Sequence, residues 1–179
     1  MTTSTSMEGT IDTPNSAYPD LEMRLETYMR RAFYILKPKV YARNEYDPKE
    51  VEYFGILSLT DVRAPRRKLW YMYYATKDQL DDTLDRIHRK YGQKNMYDLF
   101  RKPVYSGAGM RYRVKNHFSG HKWYVKGNIL EAPPNSCYND EKVANTVADL
   151  YEAEKRKYYD YLTYKSDQLK SYNYIYFST

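Results

Sequence analysis

One cysteine in 179 residues leaves Cys137 without a partner for an intramolecular disulfide, so no covalent staple holds the fold. No apolar run approaches the roughly 18 residues that suggest a membrane span. The first nineteen residues are rich in Thr and Ser and include Glu8 and Asp12, but they hold neither an arginine nor an apolar h-region. That argues against a secretory signal and against an Arg-rich organellar presequence. Together these absences point to an intracellular, soluble protein or one held within a virion. At this length roughly 70% of the unfolded surface can be buried without staples. Glycine is scarce, with seven residues, and phenylalanine scarcer, with five.

Tyrosine takes the place of phenylalanine, with 23 residues. It buries a large ring while keeping its hydroxyl wet or paired, which suits surfaces that become interfaces. Charge is also unevenly placed. The chain carries a net charge of +6, yet residues 101–130 contain Arg101, Lys102, Arg111, Arg113, Lys115, Lys122 and Lys126 and no Asp or Glu. An acidic partner is expected to meet the protein there.

Taken in order, residues 1–19 read as an N-terminal arm. Leu21, Leu25, Tyr28, Ala32 and Ile35 then recur at helical spacing until Pro38, and residues 38–50 read as a loop. Residues 51–59 (VEYFGILSL) and 67–75 (RKLWYMYYA) read as strands. The second is apolar or aromatic on both faces and is therefore expected to be central or covered on both sides. Thr76 and Gln79 have the spacing of a capping box, Leu80, Leu84, Ile87 and Tyr91 form a helical stripe, and Gly92 supplies a stop. Asp82–Arg86 and Asp85–Arg89 have i,i+4 spacing for ion pairs.

Within that unit, residues 67–79 (RKLWYMYYATKDQ) resemble the third strand and second helix of an RNA-recognition motif. Arg67, Tyr71, Met72 and Tyr74 match the family's strand pattern, Lys68 and Trp70 stand where it has small residues, and Leu69 replaces its first stacking aromatic. The resemblance implies an α/β sandwich of ferredoxin-like kind.

Residues 94–100 read as a short helical or irregular piece. Beyond Ser106-Gly107-Ala108-Gly109, alternation sets Met110, Tyr112 and Val114 against Arg111, Arg113 and Lys115. Residues 116–121 read as a turn, and Trp123 and Val125 oppose Lys122, Tyr124 and Lys126 on a return strand. The expected product is a basic hairpin. Its polar face would meet RNA or DNA, with Arg111, Arg113, Lys115, Lys122 and Lys126 on phosphates and Tyr124 stacked, or else an acidic protein surface, or simply solvent. His117 and His121 have the i,i+4 spacing of a zinc pair, but that works only on a helix, so the turn argues against a metal site.

Residues 132–138 read as a linker, and Asn139 as the N-cap of a helix over 139–170. Its stripe is Val143, Val147, Leu150, Tyr151, Tyr158, Tyr161, Leu162 and Leu169, with Tyr159 and Tyr164 projecting off it. Residues 171–179 alternate Tyr172, Tyr174 and Tyr176 against other side chains and read as a strand-like arm. The expected architecture is thus α+β: an arm, a core domain over 20–131 with an antiparallel sheet, a linker, a long helix overhanging the core, and a second arm. The expected function is a non-catalytic structural or interaction subunit of a large assembly, such as a virion or multisubunit complex, without cofactor or metal. It would dock on other protein subunits through the basic hairpin and through Tyr159, Tyr164, Tyr172, Tyr174 and Tyr176. RNA or single-stranded nucleic-acid binding is the alternative.

Overall fold

A computed structural model describes residues 51–177, apart from the side chains of residues 162, 165, 166 and 168–177. The expected N-terminal arm, first helix and following loop lie outside the described residues.

Five strands form one antiparallel sheet: β1 (Glu52–Leu59), β2 (Leu69–Thr76), β3 (Met96–Val104), β4 (Tyr124–Lys126) and β5 (Ile129–Glu131), in the order β3-β1-β2-β5-β4. The helices are α1 (Leu80–Tyr91), α2 (Gly107–Gly120) and α3 (Asp140–Phe177). β2 is the central strand, and both of its faces are covered. Trp70 and Met72 join Phe54, Ile56, Phe100 and Leu130 under α2 and α3, which contribute Met110, Val114, Phe118, Val143, Val147 and Tyr151. On the opposite face Leu69, Tyr73 and Ala75 join Leu57, Leu59 and Met96 under Leu80, Leu84 and Ile87 of α1. The strand order is not that of the ferredoxin-like sandwich that the resemblance implied, and helices cover both faces of the sheet. No helix among the described residues is long and apolar enough to cross a membrane.

Four expectations about local structure are corrected. Residues 96–104 are strand β3 rather than a helical or irregular piece. Residues 107–120 are helix, so the basic hairpin built on Met110 to Lys126 does not form; the hairpin present is β4–β5, joined by Gly127-Asn128. Ser106 caps α2 by accepting the Gly109 N–H at 3.0 Å, and the Glu52 carboxylate accepts the Gly107 N–H at 2.6 Å. The backbone of residues 171–177 continues α3 where alternation suggested a strand. The capping box at Thr76 is also absent, since its hydroxyl bonds Asp78 and no side chain caps the turn that follows.

The end of α2 explains Lys122. The Trp123 N–H bonds the Phe118 carbonyl at 3.1 Å and the Lys122 N–H bonds the Ser119 carbonyl at 3.2 Å, which is a Schellman closure. Phe118 and Trp123 supply its apolar contact, with ring centroids 4.4 Å apart. Lys122 sits where glycine is usual, with φ 65°.

The start of α3 is tied to three adjacent strands. Ser58 stands directly opposite Trp70 on one side and Tyr97 on the other. All three donate to the Asp140 carboxylate: Ser58 Oγ at 2.9 Å, Trp70 Nε1 at 2.8 Å, and the Tyr97 hydroxyl. Asn139 caps the helix as expected, accepting the Lys142 N–H at 2.8 Å. On the other face, β3 has an extra residue at Leu99, because Ile56 faces Phe100 while Leu57 faces Asp98. Asp98 and Arg101 therefore share a face and both bond the Tyr73 hydroxyl, at 3.2 and 2.9 Å.

Replacing Asp140 by Ala leaves the buried Trp70 indole N–H and the Ser58 hydroxyl without their acceptor, and should cost roughly 2–4 kcal/mol in urea denaturation, with Asp140→Asn costing less. Lys122→Gly should instead stabilise the protein by about 0.5–1 kcal/mol, by relieving the left-handed backbone. Burial pushes the Tyr73 and Tyr151 phenols each up to about 12. A phenol whose pKa rises on folding contributes stability that is complete below its unfolded value near 10 and is lost as pH climbs to about 12. Urea midpoints should fall across that window, and Tyr73→Phe or Tyr151→Phe should flatten the fall.

Candidate functional site

Because α2 replaces a strand, the basic residues of 101–130 do not share a face. Arg111 reaches the β4–β5 turn, donating to Asn128 Oδ1 at 2.6 Å and to the Gly127 carbonyl at 2.7 Å. Arg113, about half a helical turn away, pairs with Glu154 on α3, both side chains being about a quarter exposed. Arg101 pairs with Asp98 beside Tyr73. Lys115 is half-buried on α2, whereas Lys122, Tyr124 and Lys126 are exposed around the short edge strand β4. Two of the expected contact residues, Arg111 and Arg113, thus hold elements of the fold together.

His117 and His121 do lie at helical spacing, the second being the C-cap of α2, with ring centroids 4.4 Å apart. The turn that argued against a zinc pair is therefore not there. The His121 ring Nδ1 is engaged with the His117 carbonyl, and burial, then the neighbouring His121, hold the His117 pKa below its usual value. Among the described residues no group of three His, Cys, Asp or Glu could hold a metal ion.

A different basic feature emerges at the end of β2. Strand β5 pairs only with Leu69, Trp70 and Tyr71, and one further bond joins the Met72 N–H to the Asn128 carbonyl at 2.8 Å. From Tyr73 to Thr76 that edge of β2 has no strand beside it among the described residues. By alternation the N–H and C=O of Tyr74 point toward it. A groove of about 570 Å³ follows this edge. One wall is the α1 stripe of Thr83, Arg86, Ile87 and Lys90, at i, i+3, i+4 and i+7; the other is Arg111 with Asn128, and Tyr71, Tyr73 and Tyr74 lie between. Tyr71 packs on Tyr91, centroids 5.4 Å apart, and accepts a bond from Asn128 Nδ2 at 3.3 Å. Tyr74 rests on Gly107, where a Cβ would lie 2.6 Å from the tyrosine Cβ, yet stays 43% exposed.

Helix α3 forms a second surface. Val143, Val147 and Tyr151 are buried, and Tyr158 lies against Tyr105 with centroids 4.6 Å apart. Burial, with Glu154 alongside, pushes the Tyr158 phenol up. From there the helix runs about 28 Å further to Phe177 at 1.5 Å per residue. Tyr159 and Tyr164 are more than half exposed, as expected from their position off the stripe. Tyr161, placed on the stripe by periodicity, is also exposed, and the side chains of Tyr172, Tyr174 and Tyr176 lie outside the described residues.

Comparison with protein-family models, with curated proteins and with solved structures finds no match to this chain.

If Arg113 braces α2 against α3, a cycle of Arg113→Ala, Glu154→Ala and the double variant should give a coupling of about 1 kcal/mol in thermal or urea unfolding. Additive losses would show that the pair holds nothing.

Proposed function

We propose that this chain is a non-catalytic structural or interaction subunit of a large macromolecular assembly, a virion or a multisubunit complex. The observation that carries the reading is α3. Its first three turns build the core through Val143, Val147 and Tyr151, while its later turns run on past Tyr158 with Tyr159 more than half exposed. An anchored helix that continues beyond the sheet it packs on is suited to span from one subunit to another. Tyrosine favours such contacts because its large ring loses little conformational entropy on docking while its hydroxyl can find a polar partner. Other protein subunits are the partners in this reading, with α3 as the docking element.

Gradient sedimentation of the protein in extracts of its native source tests it. The chain should travel with particles much larger than its 21.5 kDa, and Tyr159→Asp should return it to the position of the free chain. Wild-type protein recovered wholly as free chain would overturn the proposal.

A further inference from the structure

The groove beside β2 combines three features that arise independently. The first is uncompensated positive charge. Arg86, Lys90 and Arg111 line it, and among the described residues no carboxylate does. The Arg86 guanidinium bonds the Thr83 hydroxyl at 3.2 Å and reaches the Asp82 backbone carbonyl, Lys90 lies 5.3 Å over the Tyr91 ring, and Arg111 bonds neutral oxygens of Gly127 and Asn128. None of the three is in an ion pair among the described residues, whereas Arg67, Arg101 and Arg113, outside the groove, all are. The second is aromatic surface: Tyr74 is 43% exposed at the unpaired edge of β2, and Tyr71 also lines the groove. The third is size. A concavity of about 570 Å³ lies within the range of small-ligand sites and can take a nucleotide unit.

We propose that this groove binds single-stranded nucleic acid, with phosphates held by Arg86, Lys90 and Arg111 and a base set against Tyr74. Guanidinium and ammonium groups on both walls match a backbone that carries one negative charge per nucleotide. A tyrosine face offers stacking that only an unpaired base can use, so a duplex is disfavoured. An acidic peptide would satisfy the charges and could pair with the open edge of β2, but it would leave the exposed ring without a planar partner. The site is distinct from the docking helix α3, so a subunit held in an assembly through α3 keeps the groove available.

The test is fluorescence anisotropy of the full chain with labelled oligothymidylate and oligouridylate of about 12 nucleotides, from about 50 to 200 mM salt. Single strands should bind at least tenfold more tightly than a duplex of the same length. The log–log salt slope should be roughly −2, as three phosphate contacts on a single strand require. Arg86→Gln with Lys90→Gln should weaken binding at least tenfold and make the slope shallower. Removing the same charge outside the groove, with Arg89→Gln and Lys94→Gln, should change affinity less than threefold. Tyr74→Leu keeps an apolar side chain against Gly107 without a planar face, and should weaken single-strand binding severalfold at an unchanged unfolding temperature. No binding at about 50 mM salt, equal losses in the two double variants, or displacement of the oligonucleotide by polyglutamate at equal charge would each overturn the proposal.

Discussion

The fold depends on one carboxylate. Asp140 opens α3 and accepts hydrogen bonds from Ser58, Trp70 and Tyr97, one residue from each of three adjacent strands, aligned across the sheet. The arrangement requires β1, β2 and β3 to be in correct register, because a slip of one residue would turn these donors to the opposite face. It also fixes where the longest helix begins. Val143 and Val147 then enter the core one and two turns later, and Tyr151 reaches the Pro103 carbonyl at 3.0 Å. A single acceptor thus couples sheet register to helix position.

The two faces of the sheet divide the work. One buries the larger core and supports α2 and α3, the second of which continues past Tyr158 to Phe177. The other, beneath α1, carries the smaller core and ends in the polar trio of Tyr73, Asp98 and Arg101. At the open edge between them, basic residues from helices on opposite faces of the sheet converge: Arg86 and Lys90 from α1, Arg111 from α2. No local stretch of sequence contains this grouping. It is produced by the strand order, which places short β5 beside only the first half of β2.

This explains which parts were legible in the chain. β1, β2 and the stripe of α1 were found where periodicity placed them and the N-cap of α3 where Asn139 placed it, although the capping box at Thr76 did not form. The basic stretch misled because Met110, Val114 and Phe118 are spaced by four, an interval that returns to the same face both in a strand and, nearly, in a helix. Tyr112 decided the reading toward a strand, but it is 66% exposed, which a helix permits and an inward strand position would not. β3 was missed because a bulge at Leu99 breaks its alternation and three charged residues, Asp98, Arg101 and Lys102, occupy a third of it. Arg86 read as the i,i+4 partner of Asp82 on the polar side of a helix. The expected Asp82 pairing is replaced by a reach to that residue's backbone, and no local rule places Arg111 opposite Arg86.

Two of the scarce glycines serve as seats for neighbouring tyrosines of β2. Gly55 lies under the Tyr73 ring on one face of the sheet, and Gly107 lies under Tyr74 on the other. Each pair can change only in a fixed order. The tyrosine must first become smaller before the glycine can gain a side chain, since the reverse order passes through a protein in which two side chains occupy the same space. Divergence at these four positions is therefore contingent, and descendants of this chain that alter either glycine should already carry a smaller residue opposite it.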